Sequence, residues 1–320
     1  MSIENYQNML MEIKDKILNK ELKYKNTIIV GDNSSGKSEV LRQLLINQEK
    51  GYYFIDSVNR SFNYENVSNS DDLDETYKSV VKYRLSENNF NLVDSFDLYK
   101  TGIGAIENVY FNYYQELKRL LKSFLEIDFK ITIKKDEIIG ERKVLDIGKG
   151  IVKLSSGYQA IIRLFLELIY FEDSLEATVM SPVVVIDEVN EFLSAKNEEK
   201  ILPFITNRFS SMSFIVTTHS ADVIASSIDC NILVLCNDDY ECLDGNDFSS
   251  VTDVREIFSK VYNLSNEDET QGIEVILRHL LNAKISETWT KIEEEKLRNI
   301  NKTILSNSQR LILNQIVNWL

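Results

Sequence analysis

Hydrophobic residues along this chain gather into short continuous runs, and helical spacing or turn residues follow each run. The clearest runs are TIIV at 27–30, YYFI at 52–55, VVVI at 183–186, FIV at 214–216 and NILVL at 231–235. Continuous apolar strands that alternate with helices are typical of a parallel sheet covered on both faces. The pattern therefore predicts an α/β fold with a mostly parallel sheet of about five strands.

Other segments carry different periods. Residues 3–20 have apolar side chains at helical spacing and predict an amphipathic N-terminal helix, and the stretch 73–125 has the same period. Apolar and polar residues alternate within 128–154, which predicts a small antiparallel β meander. Ser306 and Gln309 have the spacing of a capping box before a last apolar helix.

A phosphate-binding pattern lies between the first apolar run and the next helical segment. It consists of Gly31, Asp32, Asn33, Ser34, Ser35, Gly36, Lys37 and Ser38. Gly31 and Gly36 lack a Cβ, so successive amide N–H groups can face one point at the positive end of a helix. Lys37 would reach the β- and γ-phosphates of ATP, and the Ser38 hydroxyl would bind Mg²⁺. The alternative is a Ser/Asn/Gly-rich loop that contains Gly-Lys-Ser by chance.

Two later strand ends supply the groups that hydrolysis requires. Asp187 follows the VVVI run and can hold Mg²⁺ through its water shell, and Glu188 can orient or deprotonate the attacking water. His219 lies at the end of the FIV run, where its imidazole can hydrogen-bond the γ-phosphate. The alternatives are a strand that ends in acidic loop residues and a histidine with a structural role.

A second candidate anion site opens an apolar helix at LSSGYQ, residues 154–159. Ser155, Ser156 and Gly157 at a helix N-terminus can bind an anion. Because the chain already carries a phosphate loop, a second phosphate site suggests that it serves a different copy of the protein.

In this order, the phosphate loop, LSSGYQ, VVVIDE and TTHS resemble the motifs of ABC-type ATPases. The resemblance is to the soluble, AAA-family branch related to SMC and RecF proteins and to bacterial anti-phage systems. It implies a head-to-tail homodimer with ATP and Mg²⁺ at its interface. It would place Ser156 and Gly157 of one subunit against nucleotide bound by the other subunit's Lys37, Ser38, Asp187, Glu188 and His219.

The sequence departs from this family pattern at several positions. Ser156 replaces the first glycine of the signature motif. The family's magnesium-contacting glutamine is either Gln115 or absent, with Asn59 or Arg60 as its substitute. A predicted helix occupies the place where many family members have N-terminal strands that stack an aromatic residue on adenine. Tyr24 is the candidate for that contact here.

Motifs and periods together predict a P-loop NTPase core formed by residues 1–70 and 160–262. An inserted helical and antiparallel-β signature subdomain would occupy residues 71–159. A helical C-terminal tail would occupy residues 263–320.

Composition narrows the class of protein. The chain of 320 residues is 43% hydrophobic and 27% charged, which is typical of a soluble globular protein. No apolar run approaches the roughly 20 residues that cross a membrane, and the N-terminus lacks a secretory signal, so we expect a cytoplasmic location and no membrane partner. Three evenly spaced cysteines and two histidines match no zinc pattern.

The net charge of the chain indicates which classes of partner it can bind. The formal charge of −14 disfavours nucleic-acid binding over the whole surface. Basic clusters at 14–25 and 118–122 leave a DNA contact open, and the alternative, which we favour, is that they are solvated helix faces. We expect an ATPase that closes as a dimer or higher oligomer and switches a separate effector, such as a nuclease or toxin, in anti-phage defence. Alternatives are an SMC/RecF-like DNA-repair or DNA-sensing ATPase and a nucleotide-stabilised scaffold that holds a toxic effector with slow hydrolysis. A transporter energy subunit is disfavoured, since no coupling glutamine loop is visible.

Overall fold

The computed structural model describes residues 3–31, 35–48, 50–67, 81–82, 85, 105–136, 140–148, 153–236, 239–248, 250–252, 254, 277, 280, 284, 289–298, 300, 313 and 316–317. The chain forms two compact units, residues 1–256 and 257–320. Asp32, Asn33 and Ser34 of the phosphate loop lie outside the described residues.

A six-stranded sheet forms the core of the first unit, and a two-stranded sheet lies beside it in the same unit. The strands are β1 (Asn26–Gly31), β2 (Tyr52–Ile55), β3 (Lys130–Asp136), β4 (Gly140–Asp146), β5 (Val183–Ile186), β6 (Ser213–Thr217), β7 (Cys230–Cys236) and β8 (Asp239–Asp244). The large sheet has the order β2-β5-β6-β1-β7-β8. Its neighbours pair in parallel except β7 and β8.

The central strands are apolar because both faces of the sheet are covered. Every residue of β1 and β5 is buried. The register sets Ile28 of β1 beside Val216 of β6 and Ile232 of β7. The carboxyl ends of these parallel strands therefore lie at one edge of the sheet.

Helices flank the sheet. The first unit includes the helices α1 (Ile3–Leu18), α2 (Lys37–Leu45), α3 (Tyr110–Leu125), α4 (Ser156–Ser174), α5 (Ala195–Arg208) and α6 (Ala221–Ala225), whose bounds the structure describes. α2 follows the phosphate loop and buries Val40 and Leu41. Met9 and Ile13 of α1 belong to the same buried cluster, so α1 packs against α2.

Aromatic side chains attach the β3–β4 hairpin to α3. The Tyr110 hydroxyl accepts a hydrogen bond from the Ile131 N–H at 3.0 Å. The Tyr110 ring centroid lies 6.0 Å from that of Phe129 in an edge-on arrangement. Phe124 of α3 meets Phe165 of α4 in the same way at 5.6 Å. The hairpin, α3 and the helix that begins at the signature motif are thus packed together.

The second unit contains α7 (Lys291–Arg298). Its described core consists of Leu277, Leu280, Ile300, Leu313 and Ile316, with Trp289 and Leu297 packed against them. Ser306 and Gln309, the predicted capping box, lie outside the described residues.

The predicted fold class is confirmed, since the structure is α/β with a mostly parallel sheet, an antiparallel hairpin and flanking helices. The sequence analysis did not predict β8. The residues of β8 are exposed or half-buried at the sheet edge, so they carry no apolar run. Among the helices that the structure describes, none has both the length and the apolar character to cross a bilayer.

Candidate functional site

Residues from separate strand ends meet at the carboxyl edge of the large sheet. β5, β6 and β1 are consecutive in the sheet, and they end next to Asp187, His219 and the phosphate loop respectively. Lys37, Glu188 and His219 contact one another, and Ser38 contacts Asp187. We call these five residues the Lys37 cluster. Ligands of open parallel sheets bind at this edge, so the predicted catalytic and metal-binding residues stand where a ligand would lie.

Lys37, the first residue of α2, is 7% exposed. Its Nζ donates a hydrogen bond to the Gly31 carbonyl at 2.9 Å and lies 2.9 Å from Nε2 of His219. Oε1 of Glu188 is 3.8 Å away. A buried ammonium needs acceptors, and phosphate oxygens can replace these ones.

The turn before Lys37 requires glycine. Gly36 has φ 99°, a left-handed conformation that side chains rarely adopt. A Cβ at Gly36 would lie 2.2 Å from the Tyr6 hydroxyl, and one at Gly31 would lie 2.3 Å from Oγ of Ser35. Among the described residues, Oγ of Ser35 is buried without a hydrogen-bond partner. A phosphate oxygen would satisfy this hydroxyl, so the described part of the loop fits an anionic ligand.

Asp187 is buried between two hydroxyls. Its Oδ1 accepts a hydrogen bond from Thr217 at 2.7 Å, and its Oδ2 accepts one from Ser38 at 3.3 Å. Burial raises the pKa of Asp187, while the Thr217 hydrogen bond lowers it and the Glu188 charge raises it further. A divalent cation beside Ser38 and Asp187 would favour the ionised carboxylate.

Glu188 has an unusual backbone conformation. Its φ is 47°, and its N–H donates a hydrogen bond to Oγ1 of Thr217 at 2.7 Å. Thr217 thus holds both acidic residues, although the sequence analysis did not single it out. Its position could have indicated this role, because Thr217 is the last residue of β6 and lies two residues before His219.

His219 lies between a cation and a carboxylate. Its Nε2 is 2.9 Å from Nζ of Lys37 and 3.1 Å from Oε1 of Glu188. One ring nitrogen can accept from Lys37 or donate to Glu188, but it cannot do both at once. The imidazole can therefore change partner when Lys37 moves to a ligand.

The protein oxygens fit magnesium better than zinc. In the part of the chain that the structure describes, no group of three or more His, Cys, Asp or Glu side chains could hold a metal ion. Mg²⁺ usually takes one or two carboxylates, with waters and substrate phosphates completing its coordination. Ser38 and Asp187 meet that requirement.

Gln115, Asn59 and Arg60, the candidates for the magnesium-contacting role of the glutamine in the ABC-type pattern, differ in their surroundings. Gln115 is exposed on α3. The backbone N–H of Asn59 donates a hydrogen bond to Asp56, while its side-chain Nδ2 is buried without a partner among the described residues. Arg60 is buried, and its guanidinium donates to the carbonyls of Asp187 at 2.9 Å and Glu188 at 3.5 Å. Arg60 therefore contacts the main chain of the site's acidic residues.

A buried ionic network joins this region to α4. Nε of Arg163 lies 2.8 Å from Oε1 of Glu167, and the Tyr53 hydroxyl donates to Oε2 of Glu167 at 3.0 Å. The Phe62 N–H donates to the side chain of Gln159 at 3.3 Å. The segment after β2 is thus held both by α4 and, through Arg60, by the end of β5.

The signature residues begin α4. Ser155 caps the helix by accepting a hydrogen bond from the Tyr158 N–H at 3.3 Å, and Ser155 and Ser156 are exposed. A Cβ at Gly157 would lie 2.9 Å from the Phe192 carbonyl, so the helix tip packs closely on the loop after β5.

The structure corrects the prediction that Tyr24 stacks on adenine. Tyr24 precedes β1, whereas the phosphate loop follows β1. Tyr24 and Gly31 therefore lie at opposite ends of this strand. Its hydroxyl donates to Asp244 at 3.2 Å, and its N–H donates to Asn231. Tyr24 is therefore not placed to stack on a base whose phosphates occupy the loop.

Comparisons with known proteins give one family match. The model of the family described as "AAA domain, putative AbiEii toxin, Type IV TA system" matches residues 38–226, more than half of the chain. A search among curated proteins finds no match.

Solved structures with a similar fold include ATP-binding cassettes and SMC heads. A nucleotide-free ATP-binding cassette from an ABC transporter is 14% identical, with a TM-score of 0.41, over 74% of this chain and 86% of that chain. The SMC head domain from Thermotoga maritima is 19% identical, with a TM-score of 0.37, over 70% of this chain and 92% of that chain. The cbiO1 structure from Clostridium perfringens is 14% identical, with a TM-score of 0.38, over 76% and 85%.

Proposed function

Because this chain belongs to the AAA domain family just described, we propose that it binds and hydrolyses ATP, with Mg²⁺, at the Lys37 cluster. Family membership confirms the recognition of an AAA-family domain.

One observation carries the proposal: Lys37 and Glu188 approach to 3.8 Å at the sheet edge, with His219 in contact with both. Hydrolysis requires a cation on the terminal phosphate and a carboxylate near the attacking water. Positioning of these groups accounts for much of the catalysis in phosphoryl transfer.

Each side chain acts at a stated atom in this proposal. Nζ of Lys37 exchanges the Gly31 carbonyl for phosphate oxygens, and Oε1 of Glu188 accepts a proton from the attacking water. Nε2 of His219 hydrogen-bonds the terminal phosphate once Lys37 has turned to the ligand. Ser38 and Asp187 would hold Mg²⁺, which neutralises charge on the phosphates when bound.

We propose that two copies close head to tail around ATP. Ser155 and Ser156 are exposed at a helix N-terminus, which attracts an anion. Because the chain already carries a phosphate loop, this second candidate anion site would serve nucleotide bound by another copy, to which it would supply Ser155, Ser156 and Gly157. Opening after hydrolysis would then report the nucleotide state.

We also propose that this movement switches a separate effector, such as a nuclease or toxin, in the cytoplasm during anti-phage defence. The description of the matched family names a putative toxin of a type IV toxin–antitoxin system, which supports a role in a system of that kind. A membrane partner is not part of the proposal.

The test combines phosphate release with mass measurement by light scattering. We expect Mg-ATP, but not ADP, to convert the chain to dimers, and Glu188→Gln to retain ATP and the dimer while turnover falls by about a hundredfold or more. Glu199→Gln, on the exposed face of α5, is the matched control and should turn over normally. Absence of ATP binding by the unmodified chain would overturn the proposal.

Two outcomes of this test would favour an alternative function. Stimulation of turnover by DNA would favour the DNA-repair or DNA-sensing alternative. If Glu188→Gln binds ATP without hydrolysis and keeps full biological activity, the scaffold alternative is favoured, because turnover would then be dispensable.

A further inference from the structure

Tyr6 of α1 stands directly beside the phosphate loop. A Cβ built on Gly36 would lie 2.2 Å from the Tyr6 hydroxyl oxygen and 3.0 Å from the ring atoms Cε2 and Cζ. The hydroxyl therefore occupies the space that any side chain at position 36 would need. Gly36 immediately precedes Lys37, so the N-terminal helix brings a polar group to the loop that receives the phosphates.

Packing of α1 on α2 fixes this approach. Met9, Leu10 and Ile13 are buried in the cluster that contains Leu41 of α2, and Tyr6 packs against the same cluster. Residues three and four apart share a helix face, so the burial of Met9 and Leu10 directs Tyr6 toward α2. The position of the hydroxyl thus depends on a well-packed interface.

The Tyr6 hydroxyl is available as a donor. Burial raises its pKa, and the nearby Glu39 charge raises it further, so the phenol keeps its proton at neutral pH. No hydrogen bond to this hydroxyl is found among the residues that the structure describes. A neutral O–H beside a phosphate loop matches the acceptor oxygens of a phosphate chain.

We propose that the Tyr6 hydroxyl donates a hydrogen bond to a phosphate oxygen of the bound nucleotide. The contact rests on the proposed function, because it needs nucleotide in the loop. Tyr6 lies outside all four sequence motifs, so in this proposal α1 adds a binding residue of its own.

The test uses Tyr6→Phe, which removes the hydroxyl and keeps the ring. By titration calorimetry we expect the Kd for Mg-ATP and for magnesium tripolyphosphate to rise roughly tenfold in this variant. The matched control is Tyr240→Phe, because the Tyr240 hydroxyl also meets α1, donating to Glu12 at 2.8 Å. That variant should bind both ligands with unchanged affinity.

Unchanged or tighter binding by Tyr6→Phe would overturn the inference while leaving the proposed function intact. A loss with ATP but not with tripolyphosphate would overturn the assignment to a phosphate oxygen. If the unmodified chain binds neither ligand, both proposals are overturned. Thermal melting checks the fold, and Tyr6→Leu, which also lacks the hydroxyl, serves as the second variant if Tyr6→Phe does not fold.

Discussion

The guanidinium of Arg60 donates a hydrogen bond to the main-chain carbonyl of Asp187 at 2.9 Å. Burial lowers the pKa of Arg60, whereas the charges of Asp56 and Glu167 raise it. The ordinary pKa of arginine is so high that the guanidinium stays charged. A cation thus fixes the backbone that carries Asp187 and Glu188.

We predict that Arg60→Gln lowers turnover more than ATP affinity. Glutamine removes the charge and shortens the reach to the Asp187 carbonyl, so Glu188 is held less firmly. We expect kcat to fall about tenfold, equivalent to about 1.4 kcal/mol, and Kd for ATP to change less than about threefold. Steady-state phosphate release and equilibrium titration measure the two quantities.

Two further variants test whether the loss of rate comes from the Arg60 guanidinium. Arg60→Lys restores the charge without the planar fork and should recover part of the lost rate. Arg119→Gln removes an arginine that is 75% exposed and should behave as the unmodified chain. A normal kcat in Arg60→Gln would show that the Asp187 carbonyl needs no such support.

Gly36→Ala should abolish ATP binding while the chain still folds. A Cβ there meets the Tyr6 hydroxyl at 2.2 Å, and φ of 99° is strained for alanine. The matched control is Gly148→Ala, because Gly148 also has a positive φ, 71°, but among the described residues the closest atom to its Cβ would be Cβ of Asp128, at 3.6 Å. Equal loss of ATP binding in both variants would contradict a local role for Gly36.

The sheet and the Lys37 cluster could be predicted from the sequence because both depend on local patterns. Apolar runs mark buried strands, and parallel strand ends converge at one edge, so the order of the motifs was enough to bring Asp187 and His219 near Lys37. Arg60 was predicted only as an alternative to Asn59, and the role of Tyr6 was not predicted. Tyr6 reads as one more residue of an apolar helix face, and its contact with Gly36 depends on how α1 packs against α2, which no local pattern specifies.

Cysteine reactivity should separate buried from accessible thiols. Burial raises the pKa of Cys230 to about 12, so at pH 8 only about one molecule in ten thousand carries the thiolate. Cys242 is exposed to solvent, although the buried part of its side chain raises the pKa of its thiol. Iodoacetamide should therefore alkylate Cys242 in the folded chain and Cys230 only after unfolding, as read by peptide mass spectrometry. Equal labelling of both thiols would contradict the burial of β7.

Glu167→Leu should destabilise the first unit strongly. Glu167 and Arg163 are 3% and 2% exposed, and the change leaves the Arg163 charge without its carboxylate and the Tyr53 hydroxyl without its acceptor. Loss of one partner from a buried pair costs about 3 to 5 kcal/mol, so we expect a fall of about that size in the free energy of unfolding, measured by urea denaturation.

The double variant Arg163→Met with Glu167→Leu should regain much of the lost free energy of unfolding, because this buried pair then leaves no charge without its partner. Asp128→Asn, which breaks the exposed pair with Lys122, should leave the midpoint unchanged. If Glu167→Leu alone unfolds at the same urea concentration as the unmodified chain, the network between α4 and β2 does not support the fold.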